Sequence, residues 1–186
     1  MDLGCYTVSV SRLAAGAALG GNPIDPIDIK GAGVIGSRSK VDEWASAILT
    51  FPKGIIASFT CANQVGLPGG LRLYGSAGSI EVPNPFFASP SRLVINRAGV
   101  KEPEVVEVPE ARGLYTVEAD VVAAAVAAGQ QEANPPCMTW ADSLANMKVL
   151  DAWRKQIGLV FEGEREADLV QTIAKRPLRR RTNHQM

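Results

Sequence analysis

The chain is poor in metal ligands. Its single histidine, His184, stands among the last residues, and its three cysteines, Cys5, Cys61 and Cys137, are widely spaced with no Cys-x-x-Cys pair. That set supplies neither a zinc site nor a disulfide framework, and it fits a reducing, cytoplasmic setting. Charge of one sign is lacking too. The 19 basic residues balance 19 acidic ones, so neither nucleic acid nor a membrane surface is expected as the main partner. No apolar run approaches the roughly 20 residues of a membrane span, and the first residues lack the charged-then-apolar pattern of a signal peptide. Trp44, Trp140 and Trp153 have no basic groove beside them, so they read as core or interface residues, not as a stacking platform.

What is present suits a globular domain: of 186 residues, 46% are hydrophobic and 20% charged, enough for a substantial core. From the start, Leu3, Tyr6, Val10, Leu13 or Ala14, and Ala17 recur at three-and-four spacing, which predicts an amphipathic helix with those side chains inward. Asp2 and Tyr6 share that face, with their polar tips over neighbouring turns and within reach of one small ligand. Taken singly, Asp2 serves as an N-cap, Tyr6 as a core aromatic and Cys5 as a small buried thiol. Arg12 reads as a surface or interdomain ion pair.

Gly20-Gly21-Asn22-Pro23 and Pro26 stop the helix. The next stretch, Gly31-Ala32-Gly33-Val34-Ile35-Gly36, has the G-x-G-x-x-G spacing of a nucleotide loop. Such a loop requires a helix starting at the third glycine and an acidic residue about 20 positions on. Here a period-two run follows instead, and flexible strand glycines account for the match better. Trp44 to Phe51 and Ile55 to Cys61 alternate around Pro52-Lys53-Gly54 as an antiparallel hairpin. Leu71 to Tyr74 and Ser79 to Val82 make a second one around Gly75-Ser76-Ala77-Gly78. Two more strands are expected at 92–95 and 105–108.

The period then changes. A helix is expected over 115–133, ended by Asn134-Pro135-Pro136. Another opens on the capping pattern Thr139-Trp140-Ala141-Asp142, with Trp140, Leu144, Met147, Leu150, Trp153 and Ile157 as its buried stripe. Gly158 closes it, and Leu159-Val160-Phe161 is expected as an edge strand or docked tail. Residues 163–186, with Arg176-Pro177-Leu178-Arg179-Arg180-Arg181, are expected to be a basic polar tail or linker. The order of elements over residues 1–162 gives an α+β class: an open, mostly antiparallel β-sheet with helices packed on one face. Strands such as 55–62 carry apolar or small residues on both sides, so the free face is expected to meet another subunit or a missing domain.

Asp2-Leu3-Gly4-Cys5-Tyr6, Phe51-Pro52-Lys53-Gly54, Tyr74-Gly75-Ser76-Ala77-Gly78-Ser79-Ile80 and Leu150-Asp151-Ala152, in this order and spacing, resemble the C-terminal domain of the glucose-fructose oxidoreductase, inositol dehydrogenase and MocA superfamily. The likeness covers residues 1 to 162. It implies a dihydrodipicolinate-reductase-like fold whose N-terminal Rossmann domain, the part that binds NAD or NADP, is absent from this chain. It also implies a sugar, cyclitol or dihydrodiol substrate, and a homo-oligomer formed through the open sheet face. The family's D-x-G-x-[HY] motif contacts the reacting hydroxyl, and the matching positions are Asp2 and Tyr6. A phenol ordinarily titrates near ~10. The family's neighbouring positive charge, a lysine of a Glu-Lys-Pro motif, has no counterpart here. The resemblance thus implies a substrate-binding and oligomerisation domain that is inactive alone. The alternative from the residues is a non-catalytic α+β protein-interaction module.

Overall fold

The computed structural model describes residues 1–87, 91–161, 164, 169–171 and 177–179. The first helix, α1, runs from Gly4 to Ala18. Its buried line is Gly4, Val8, Arg12, Ala15 and Gly16, whereas Leu3, Tyr6 and Leu13, expected inward, are exposed. The burial is rotated because glycines at both ends of the line let the backbone approach its neighbours closely. A Cβ at Gly4 would press on the indole of Trp153, and one at Gly16 on the carbonyl of Asn22. Arg12 joins the buried line because carboxylates neutralise it, as described below.

Two compact units are distinguished. Among the described residues, the first holds Met1–Thr7, Pro26–Val65 and those from Met147 on; the second holds Val8–Asp25 and those of Gly66–Asn146. In the first unit, β1 (Asp28–Ile35), β2 (Asp42–Thr50) and β3 (Ile56–Ala62) form an antiparallel sheet in that order. Residues 52–54 make one 3-10 turn between β2 and β3, so the expected hairpin is present. Gly31 pairs with Ala47, and Ala47 with Phe59, which puts all three on one face. That face carries the buried Ile29, Ala45, Ala47, Leu49 and Cys61.

The second unit contains β4 (Leu71–Gly75), β5 (Gly78–Val82), β6 (Ser91–Arg97) and β7 (Glu104–Val108), an antiparallel meander in sequence order. Leu71, Leu73, Ile80, Leu93, Ile95 and Val106 share one face by register. The helix α2 (Leu114–Ala127) follows and buries Ala125. It ends before the expected Asn134-Pro135-Pro136 because Gly129, at φ +68, reverses the backbone first. There the amides of Gly129 and Gln130 bond back to the carbonyls of Val126 and Ala125.

The last helix, α3 (Trp140–Ile157), opens on the expected cap: the Asp142 amide donates to Thr139 Oγ1 at 3.1 Å. Only the C-terminal half of its expected stripe is inward. Leu150 and Trp153 are buried, while Trp140, Leu144 and Met147 are exposed. The helix stops at Gly158 (φ +73), and Leu159 docks as a buried residue without forming a strand. Beyond it, Arg154 lies over the Phe161 ring at 4.8 Å and pairs with Glu164.

In the first unit α3 covers the sheet. Trp153 lies across Gly31 and meets the Phe59 ring edge-on, at 5.4 Å between centroids. Gln156 donates to the Ile29 carbonyl at 2.7 Å and accepts from the Gly31 amide at 2.6 Å, taking up outward backbone groups of edge strand β1. The class is α+β as expected, with the principal strands divided into a three-stranded and a four-stranded ladder. Two short segments of the expected tail, β8 (Leu169–Gln171) and β9 (Pro177–Arg179), pair antiparallel. Glu164 apart, the rest of that tail lies outside the described residues.

Candidate active site

The two residues singled out by the sequence stand at the start of α1, Asp2 just before the helix and Tyr6 in its first turn. The Cys5 amide bonds the Met1 carbonyl at 3.2 Å, so helical bonding begins over Asp2 and Leu3, and α1 itself starts at Gly4. Asp2 therefore stands in the turn just before the helix, where the exposed N–H groups and the helix dipole favour a carboxylate. The Cys5 thiol donates to the Asp2 carbonyl at 3.0 Å, and Thr7 Oγ1 to the Gly4 carbonyl at 2.9 Å. Asp2 is exposed and Tyr6 is 54% exposed, so both are open to a solute from the first turn. Burial, followed by the charge of Asp2, pushes the Cys5 thiol up. That makes Cys5 a weak nucleophile beside the two polar residues.

The floor beneath this turn is well built. Gly4 rests on the Trp153 indole, and the Met1 amino group pairs with the buried carboxylate of Asp42. Burial, with Asp42 as the next cause, pushes the Cys61 thiol up to about 11.

The G-x-G-x-x-G stretch does not form a phosphate cradle. Gly31 and Gly33 lie within β1, and Gly36 opens a tight turn whose amide bonds the Val41 carbonyl at 2.9 Å. The next element is strand β2, not a helix with its N-terminus turned to a ligand. A side chain at Gly31 would strike Trp153, and one at Gly33 would crowd Ala45. These glycines serve close packing, as the strand reading expects, and the residues of this stretch do not fit a dinucleotide.

The other face of the three-stranded sheet holds a shallow open basin of about 590 Å3. Lys30, Ala32, Ser46, Ile48, Ser58 and Thr60 line it, and the Ser46 and Thr60 hydroxyls bond each other at 2.8 Å. Neither Asp2 nor Tyr6 lines the basin. On the same face Val34, Trp44, Ile48 and Ile56 are exposed, which is the open surface expected from the strand pattern.

Arg12 is the residue whose place the sequence hid. It is 3% exposed, and its guanidinium lies 3.0 Å from the Asp25 carboxylate and 3.4 Å from both the carboxylate and the carbonyl of Asp142. Its spacing of four from Val8 and from Gly16 was the available signal. Among the described residues no group of three or more His, Cys, Asp or Glu side chains is arranged to hold a metal ion. None of the described helices is long and apolar enough to cross a membrane.

No protein-family profile matches the chain. A trans-1,2-dihydrobenzene-1,2-diol dehydrogenase of Mus musculus is 27% identical over 165 residues, 87% of this chain and 46% of that protein. Among solved structures, an aldose-aldose oxidoreductase from Caulobacter crescentus, complexed with glycerol, superposes with a TM-score of 0.63 at 18% identity. The match covers 82% of this chain and 43% of the other. A 3-ketoreductase from Actinomadura kijaniata, in complex with TDP-benzene and NADP, gives a TM-score of 0.61 at 23% identity, covering 84% and 46%. The chain spans less than half the length of each of these proteins.

Proposed function

We propose, on the premise that the chain corresponds to the C-terminal part of oxidoreductases of the glucose-fructose oxidoreductase, inositol dehydrogenase and MocA type, that it is the substrate-binding and oligomerisation part of an NAD(P)-dependent enzyme. Its substrate is the hydroxyl of a sugar, cyclitol or dihydrodiol. The observation that carries this reading is one of coverage: more than four fifths of this chain aligns with less than half of each relative. Asp2, just before α1, and Tyr6, in its first turn, are both exposed.

The chemistry assigned to them is at the oxygen. Interconverting an alcohol and a carbonyl moves a proton on or off that oxygen, and a positioned side chain within hydrogen-bond reach lowers the barrier to that movement. The Tyr6 phenol is a donor and acceptor and the Asp2 carboxylate is an acceptor. Together they orient a hydroxyl and exchange its proton. No residue of this chain is assigned to the nucleotide, which belongs to the part of the enzyme outside this chain. The exposed Val34, Trp44, Ile48 and Ile56 on the open sheet face support the oligomerisation half of the reading, because a sheet face with several exposed large apolar side chains is ordinarily covered. The same face favours the second reading, a binding module without chemistry.

The test joins this chain to the nucleotide-binding half encoded upstream and assays candidate polyols with NAD and NADP. Turnover is expected only in the joined protein, and Tyr6→Phe is expected to lower it by about 100-fold. Unchanged turnover in that variant would assign Tyr6 to packing. Unrelated sequence upstream would favour the binding module.

A further inference from the structure

Trp153 is fully buried, and both ends of its indole's long axis meet glycine. On one side a Cβ added to Gly4 would stand 2.8 Å from Cζ3 and 3.5 Å from Cη2, the outer edge of the six-membered ring. On the other, a Cβ added to Gly31 would strike Cδ1 and stand 2.8 Å from Nε1, the five-membered ring. Phe59 closes a third side with its ring at 72° to the indole. The indole therefore fills a slot between the first turn of α1 and the middle of β1. Its length fixes how far that turn stands from the sheet.

The N–H of the indole finds no acceptor among the described residues. A buried donor without a partner is costly, so the residue is held here for its outline and not for a hydrogen bond. Gly4 is the middle residue of Asp2-x-Gly4-x-Tyr6, with the two candidate site residues two positions away on either side. The turn that carries both is thus seated at its centre on Trp153.

We propose that Trp153 is a positioning residue for the candidate site: through Gly4 it sets the height and tilt of the turn bearing Asp2 and Tyr6. Gly31 is kept free of a side chain so that the indole can lie against β1. The catalytic meaning of the inference rests on the reading of Asp2 and Tyr6 given above, whereas the geometric claim stands on the packing alone.

The experiment uses the 186-residue chain with ring-13C tyrosine. It has three tyrosines, and Tyr6→Phe identifies the Tyr6 signal. Gly4→Ala is expected to shift the Tyr6 ring resonance and lower the melting temperature, leaving Tyr74 and Tyr115 where they were. Adding Trp153→Phe removes the outer edge that the new methyl meets, so the double variant is expected to regain stability and return the Tyr6 signal most of the way. Gly31→Ala meets atoms close to the ring's point of attachment, which phenylalanine retains, and is expected to gain much less from Trp153→Phe. Where Gly4→Ala alone does not fold, recovery of folding in the double variant carries the same weight. Trp153→Phe alone should move the Tyr6 resonance by a smaller amount.

A Tyr6 signal unmoved in both Gly4→Ala and Trp153→Phe, or a double variant no better than Gly4→Ala, would make Trp153 a core filler and overturn the proposal. Equal rescue of Gly31→Ala and Gly4→Ala would do the same. Turnover is not needed for any of these signals. An active Tyr6→Phe enzyme would therefore remove the catalytic reading and leave the seat on Trp153 to be judged separately.

Discussion

In the three-stranded sheet Ile29, Ala45, Ala47, Leu49 and Cys61 are buried, whereas in the four-stranded sheet Leu71, Leu73, Ile80, Leu93, Ile95 and Val106 all keep part of their surface in solvent. The deeper sheet has the smaller side chains. Alanine and glycine leave room for Trp153 to pack closely against the strands, and the tryptophan helps to keep water from that face. Larger aliphatic residues on the other sheet offer more apolar area but are less fully covered. Burial depth here follows what lies across a face more than how apolar that face is. Fully burying a large aliphatic side chain stabilises by about 1.5–3 kcal/mol and half-burying it by about half as much, so the two sheets should differ in what a deletion costs.

The sharpest way to break this comparison is a pair of truncations read by urea denaturation. Trp153→Ala removes the cover of the three-stranded sheet and is expected to cost ~4 kcal/mol, while Leu93→Ala in the four-stranded sheet is expected to cost ~1 kcal/mol. Equal losses would mean that cover does not decide the matter.

A smaller effect is expected at Arg12, which gives the second unit its buried charge. Arg12→Met keeps the stem but leaves Asp142 without its cation. The expected cost is ~2 kcal/mol, below that of a fully enclosed pair because Asp25 is 56% exposed and screened by water. Asp25→Asn should change stability by under about 1 kcal/mol on the same ground. A loss equal to that of Arg12→Met would show that Asp25, not Asp142, is the partner that matters.

The comparison is sharpened further by a pH dependence expected in the first unit. Folding raises the Cys61 thiol from 9.0 to about 11, chiefly through burial. The native state thus favours the neutral form, and the associated stabilisation is complete below pH 9 and lost as pH rises towards 11. The urea midpoint should fall across that window, and Cys61→Ala should flatten the fall. The four-stranded sheet has no cysteine. A fall of the same size in Cys61→Ala would place its origin elsewhere.

The strands were legible because their signals are local. Alternation over Trp44 to Phe51 and Ile55 to Cys61, and the glycines around Ser76-Ala77, act within a few residues of the bonds they determine. The face of α1 was not legible. Arg12 reads as polar at any position until Asp142, 130 residues away, is brought beside it. The upper half of α3 was misread for the converse reason: Trp140, Leu144 and Met147 have the spacing of a buried face, but spacing does not supply something to be buried against. At the candidate site the sequence places Asp2 and Tyr6 on one turn, and the structure puts Asp2 in the turn just before the helix and Tyr6 inside it, both exposed. What lay beyond sequence was the support under it, because Gly4, Gly31 and Trp153 come from three separate elements and only folding brings them together.

Gln156 bears on how this protein can add to itself. An uncapped edge strand is a template for the next strand, in ordered assembly and in aggregation alike. The carboxamide of Gln156 mimics a piece of neighbouring strand against Ile29 and Gly31, so an incoming chain at β1 would first have to displace it. At the far side of the same sheet β3 is the terminal strand, and the described hydrogen bonds include no such side-chain plug there. Through Gln156, strand addition is discouraged at the β1 margin, so one side chain blunts an edge that the backbone alone would leave open.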